Sequence, residues 1–107
     1  FHTSGAEMIQ SWAQGAFVVK AFNSVGAASM IDPAYPRKPT MLYCGDDASA
    51  KRIAAELITQ VGFEALDCGA LSSARYVEPL ALLWVRLAYQ EGMGTGIAFK
   101  LMKKENR

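Results

Sequence analysis

Between Thr40 and Cys68 the chain reads strand, helix, strand, with both ends of the helix marked in the sequence. "TMLYC" is a short strand-like run. "GDD" breaks it and supplies a helix N-cap. Ile53, Ala54, Leu57, Ile58 and Val61 then recur at i, i+1, i+4, i+5 and i+8, the spacing of one buried helix face. Lys51, Arg52, Glu56 and Gln60 fall mostly elsewhere. Gly62 stands where a helix closes on a left-handed C′ residue, and "FEALDC" follows as another strand.

The flanking segments continue the alternation. "SGAE", Ser4 to Glu7, has the form of a capping box, and Met8, Ile9, Trp12 and Ala13 follow at helical spacing until Gly15. "AFVVKAF" reads as a strand that is apolar on both faces except at Lys20. "NSVGAASMIDPAYPRKP" is a loop with three prolines, in which "SVGAASM" has room for a short helix. "GALSSARYVEPLALLWVRLAYQEG" is a long helical segment with Leu80, Leu83, Trp84 and Leu87 on one face. Pro79 inside it either kinks the helix or starts a second one after Glu78. "IAFKLM" reads as a last strand, with Ile97, Phe99 and Leu101 on one side. Strands alternating with helices predict an α/β layer structure with a largely parallel sheet and flanking helices.

Composition excludes several functions. The chain has 107 residues, room for one small domain or half-domain. Hydrophobic residues make up 51% and charged residues 20%, a globular balance. A net charge of +1 gives no footprint for nucleic acid, and the basic cluster in "KLMKKENR" reads as a solvated tail. The longest apolar run, Leu80 to Val85, falls far short of the roughly 20 residues of a spanning helix. No membrane partner is expected, and no signal peptide is visible, so the expected location is the cytoplasm. Cys44 and Cys68 are expected to be reduced, buried and inert, with a disulfide between them as the minority reading. With one histidine in the chain, a zinc site is not expected. The start at Phe1, running directly into a helix signal, suggests a piece of something longer.

Three glycines at Gly92, Gly94 and Gly96 raise the question of a phosphate loop. A dinucleotide loop follows a strand and opens a helix, so that the helix N-terminus faces the pyrophosphate. "GMGTG" follows a helix and leads into a strand, and Ile97 stands where the third fingerprint glycine is required. Gly92 is read as the helix end, with Gly94 and Gly96 making a tight connection. The residues show no Ser-His-Asp set, no metal cluster and no Walker motif. A thiol at Cys44 entering a helix N-terminus would be activated, but Asp46 and Asp47 oppose that. Cys44 is read as buried and the aspartates as caps.

"TSGAE", "VVKAFNSVGA", "CGDDASAKRIAAELITQVGFEALDCGAL", "SSARYVEPLALLW" and "GIAFKLM", taken together, resemble the C-terminal half of the deazaflavin (coenzyme F-420)-dependent NADP oxidoreductase family. The oxidoreductase domain of the six-transmembrane metalloreductases is a more distant likeness. The resemblance covers nearly the whole chain in order. It implies the C-terminal part of a Rossmann-like sheet, with the glycine loop and the ribose-binding residues lying upstream of residue 1. The implied activity is hydride transfer between the nicotinamide of NADP and a deazaflavin- or flavin-type ring. The alternative is a non-catalytic fragment or degenerate relative acting as a structural or dimerisation module.

The resemblance also implies site residues. The loop after "VVKAF" matches a loop beside the nicotinamide, which places Asn23, Ser24, Val25 and Ala27 there. The other reading of Asn23 is a cap for a short helix after it. Arg75 matches an arginine lining the deazaflavin pocket; the other reading is a surface ion pair, with Glu78 as a candidate partner. Pro79 and Ala81 stand where the family carries hydroxyl side chains, which leaves a flavin, a quinone-like ring or ferric iron through bound flavin as alternative acceptors. Parallel strands would deliver Asn23 and Arg75 to one sheet edge, facing a common cleft. No catalytic acid or base is implied. The relatives' use of the long helix for dimer contacts, together with the edge strand and apolar faces of half a sheet, implies a homo-oligomer.

Overall fold

The structure, a computed structural model, describes residues 2–26, 30 and 34–104. Among the described residues a three-stranded sheet of order β1-β2-β3 is flanked by three helices of two turns or more. The central strand β2 (Thr40–Gly45) pairs in parallel with β3 (Glu64–Asp67), in register from Thr40 opposite Glu64 to Tyr43 opposite Asp67. Between them runs helix α2 (Ala48–Val61). The Asp47 carboxylate accepts from Ala50 N at 2.8 Å, and Gly62 closes the helix at φ +111°. The strand–helix–strand unit read from the sequence therefore forms with both of its caps.

Strand β1 is only Val19–Lys20 and runs antiparallel to β2, with Val19 opposite Gly45 and Lys20 opposite Cys44. The expected parallel arrangement holds for β2 and β3 and not for β1. Two local facts keep β1 short. The Val18 amide donates to Gln10 Oε1 at 2.8 Å, and Gln10 Nε2 donates to the Ala16 carbonyl at 2.7 Å, so a side chain takes the place of a ladder partner. Beyond the strand, Phe22 turns to φ +59°, a left-handed backbone costly for a bulky side chain. Gly45 is the residue that lets β1 approach, because a Cβ there would lie 3.1 Å from Val19 Cγ2 and 3.2 Å from the Val18 carbonyl.

Alternation along β2 creates two cores on opposite faces of the sheet. Met41 meets Val25, Ile58 and Phe63 on the α2 side. Cys44 meets Ala6, Leu71, Ala74 and Val77 on the other. That second face is covered by α1 (Gly5–Trp12) and α3 (Ala74–Val85), the latter entered through a 3-10 turn at Leu71–Ser73. Helix α3 runs unbroken through Pro79, which neither ends it nor starts a new helix. It widens into a π turn at Arg86–Gln90, and Gly92 and Gly94 follow at φ +75° and +80°.

"IAFKLM" forms no strand. It lies beside the start of β2 through one backbone bond, Thr40 N to the Phe99 carbonyl at 2.9 Å, and through Leu101 N to Thr40 Oγ1 at 2.8 Å. Trp84 Nε1 donates to the Ile97 carbonyl at 2.9 Å and ties the same segment to α3. No described helix is long and apolar enough to cross a membrane.

Candidate functional site

The residues implied as a nicotinamide-side loop are placed by the antiparallel turn of β1. Leaving Lys20 opposite Cys44, the chain travels toward the amino end of β2. Ser24 is buried there, its hydroxyl facing Met41 Sδ at 3.9 Å, and Val25 packs in the Met41 core. Ala27 lies outside the described residues. Asn23 reaches across to α3, where its Nδ2 donates to the Val77 carbonyl. Its Oδ1 is buried and has no hydrogen-bond partner among the described residues. A buried carbonyl oxygen left this way is costly, so an orphan of this kind points to a missing donor. The left-handed Phe22 immediately before it is the kind of backbone strain that gathers at ligand sites.

Arg75 is delivered from the other end of the sheet. The turn leading to it is fastened at the carboxyl end of β2. Gly45 N donates to the Gly69 carbonyl at 3.1 Å, and Leu71 N to Asp46 Oδ1 at 2.9 Å. The guanidinium does not pair with Glu78. It grips Glu7 of α1 in a fork, Nε to Oε1 at 2.8 Å and Nη2 to Oε2 at 2.9 Å. The fork holds the Glu7 carboxyl below its ordinary range, helped by the Ser4 hydroxyl, and holds the Arg75 guanidinium above its own. Glu78 instead accepts from Gly5 N at 2.7 Å and Ala6 N at 2.8 Å, closing the amino end of α1 beside Ser4. A carboxylate at a helix N-terminus meets both the unpaired amides and the positive end of the helix dipole.

Asn23 thus bonds α3 two positions beyond Arg75, which belongs to that helix and is held by α1. Because β1 is antiparallel, the two are delivered from opposite ends of the sheet and not, as expected, to one edge. Near Ser24 an apolar pocket of about 200 Å³ opens between Leu42, Leu80, Phe99 and Leu101. It is smaller than the several hundred Å³ of a typical small-molecule site, so it can take part of a ligand at most. A larger polar cleft of about 380 Å³ lies between α1 and the turn before α3, lined by Glu7, Gln10, Ser11, Asp46, Leu71 and Ser72. Among the described residues no three His, Cys, Asp or Glu side chains gather as a metal site.

Sequence reasoning named Glu78 as the partner of Arg75, and missed both Glu7 in that role and Glu78 as the cap of α1. The capping box signalled Glu7, but as a residue folding back on its own helix end. Its real partner is 68 positions away. Nothing local marks Phe22, whose backbone is set by the loop it opens.

No protein-family model matches the chain. Curated relatives do. An F420-dependent NADP reductase of Methanocaldococcus jannaschii is 36% identical over 96 residues, which is 88% of this chain and 43% of the relative. The F420-dependent NADP reductase of Methanothermobacter marburgensis is 35% identical over 75 residues, 69% of this chain and 34% of the relative. Metalloreductase STEAP3 of Rattus norvegicus is 40% identical over 82 residues, 75% of this chain and 17% of the relative. Among solved structures, a candidate F420-dependent NADP reductase from Arthrobacter sp. FB24 superposes with a TM-score of 0.81 at 32% identity, covering 92% of this chain and 45% of that one. By sequence and by fold, the chain is a homologue of the F420-dependent NADP reductases and corresponds to less than half of their length.

Proposed function

We propose that this chain is one part of an NADP-dependent oxidoreductase that moves hydride between a nicotinamide and a deazaflavin- or flavin-type ring. The observation that carries the reading is the joint likeness, in sequence and in fold, to proteins named for that pair of cofactors. In this reading the glycine loop and the ribose-binding residues belong to a further segment that completes the sheet, and the part described here is the C-terminal one.

The two rings, when bound, supply the chemistry, a hydride transfer that asks no proton of the protein. The chain's own residues orient and exclude water. Asn23 offers a buried acceptor, Oδ1, that fits a carboxamide N–H. Ser24 and Val25 wall the same loop, and Ala27 belongs to it by resemblance. Arg75, with Nε and Nη2 held by Glu7, keeps Nη1 outside that fork for an acceptor ring or its substituents. Pro79 and Ala81 offer no hydroxyl beside it, which leaves a flavin in contention with F420.

A second reading is favoured by the same bonds. Arg75 on Glu7 and Asn23 on the Val77 carbonyl are also what a structural module would show. The complete protein distinguishes the two. Under the enzyme reading, Arg75→Ala raises the KM for the ring acceptor roughly ten- to a hundredfold, the worth of one charge-assisted hydrogen bond, and leaves the KM for NADPH unchanged. Under the scaffold reading Arg75→Ala and Glu7→Ala lower Tm alike, and neither moves the acceptor KM.

A homo-oligomer, with a dimer as its simplest form, is part of the proposal. Trp12, Phe17, Leu82, Leu83 and Tyr89 stand exposed, large apolar side chains that a partner surface would cover.

A further inference from the structure

We propose that Cys44 and Cys68 form a redox-active dithiol that closes to an intramolecular disulfide on reaction with a small-molecule disulfide. They are the two cysteines of the chain. Both are free thiols. The parallel register that pairs Tyr43 with Asp67 brings Cys44 opposite Cys68 at the next step, and the Cys68 amide donates to the Tyr43 carbonyl at 2.8 Å to hold that step. Cross-strand neighbours in a sheet lie about 4.7–4.9 Å apart, inside the roughly 4.4–6.8 Å Cα separation a disulfide spans. Alternation turns both side chains to the same face. The packing agrees, since Cys68 packs against the core cluster that contains Cys44.

The sulfurs are held only by weak bonds. Each makes a long contact to a carbonyl, Cys44 to Leu71 at 3.9 Å and Cys68 to Leu66 at 3.8 Å, and the Tyr43 main chain also bonds the Cys68 sulfur. The two differ in access, because Cys44 is buried while Cys68 is partly exposed. That difference assigns an order. The Cys68 thiolate attacks one sulfur of the reagent disulfide, forming a mixed disulfide and releasing one thiolate. The Cys44 thiolate then attacks the Cys68 sulfur of that mixed disulfide, forming the Cys44–Cys68 bond and releasing the second. Two protein thiols are oxidised, one disulfide is reduced to two thiols, and the protons of Cys44 and Cys68 pass to the released thiolates. Burial pushes both thiols above their ordinary range, so the exchange is slow at neutral pH. Lys51, whose Nζ donates to the Gly69 carbonyl at 3.1 Å, partly counters this.

The bond would close the loop that contains α2. It would also fix the carboxyl ends of the two parallel strands, from which the turn toward Arg75 departs. The inference does not depend on the proposed hydride transfer.

The test uses the chain after reduction, removal of reductant and incubation with oxidised glutathione. Intact mass is expected to fall by two hydrogen atoms. Both thiols should be lost to titration in denaturant, and Tm should rise because the unfolded chain is constrained. Persistence of both thiols, a glutathione adduct retained on the wild-type chain, or a covalent link between two copies would overturn the proposal. Cys44→Ala removes the resolving thiol, and glutathione should then remain on Cys68; a Cys44→Ala chain that folds and stays unmodified overturns the order of attack. If Cys44→Ala fails to fold, the wild-type mass still decides.

Discussion

Glu7 answers to two groups at once: the Ser4 hydroxyl, which accepts from its amide and donates to its carboxylate, and the Arg75 fork. The sequence announced only the first kind of role, because a capping box is local and an ion pair across 68 positions is not. The arginine pushes the folded carboxyl below its unfolded value. Its contribution to stability is therefore complete above the ordinary glutamate range and disappears as pH falls through the folded value. Thermal unfolding followed from neutral into acid pH should show wild type losing Tm more steeply than Glu7→Gln, and parallel slopes would contradict this. Glu78 is a separate case. Its carboxylate holds two amides of α1, so Glu78→Ala should cost about 1 kcal/mol in urea unfolding, the usual worth of a lost cap. Of the candidate site, Arg75 and Asn23 could be singled out only by resemblance. Their partners, a carboxylate on another helix and a main-chain carbonyl, became visible only in three dimensions.

Among the elements, α2 was the most legible because both its caps and its apolar face are written within fifteen or so consecutive residues. Periodicity nevertheless overstated its burial. Ile58 is fully buried while Leu57 remains 50% exposed. Ile58→Ala should thus cost about 2–5 kcal/mol, and Leu57→Ala well under that, read as the difference in urea midpoint at constant slope. Equal losses would show that α2 has a covered flank in solution. The strands were less legible, for a physical reason. A strand exists only where a partner completes its ladder, and partners are not local. "AFVVKAF" has the composition of a seven-residue strand, yet Gln10 and Phe22 reduce it to a pair. "IAFKLM" has the alternation and no ladder. Direction is the least local property of all, and β1 runs opposite to the parallel order that alternation predicted.

At the scale of the molecule, each face of the sheet has a core, but apolar side chains continue past the helices that cover it. Trp12 and Leu82 are each 72% exposed. The isolated chain should accordingly associate with itself, and light scattering across a concentration series should show a mass above that of a monomer; Leu82→Lys should shift it downward. Without a strand-to-helix glycine loop, the same chain should show no saturable NADPH binding in calorimetry, and a micromolar Kd, about −8 kcal/mol, would overturn that expectation. The bond between Gln10 and the Val18 amide carries a consequence for motion. A glutamine side chain bears the donor and acceptor of a peptide unit, and here that imitation is mounted on a helix and not on a strand. The hydrogen at Val18 is therefore shielded from solvent by α1. In amide exchange it should open with the undocking of that helix, out of step with the amides of β2, making the position just before β1 a reporter of how firmly a helix is seated.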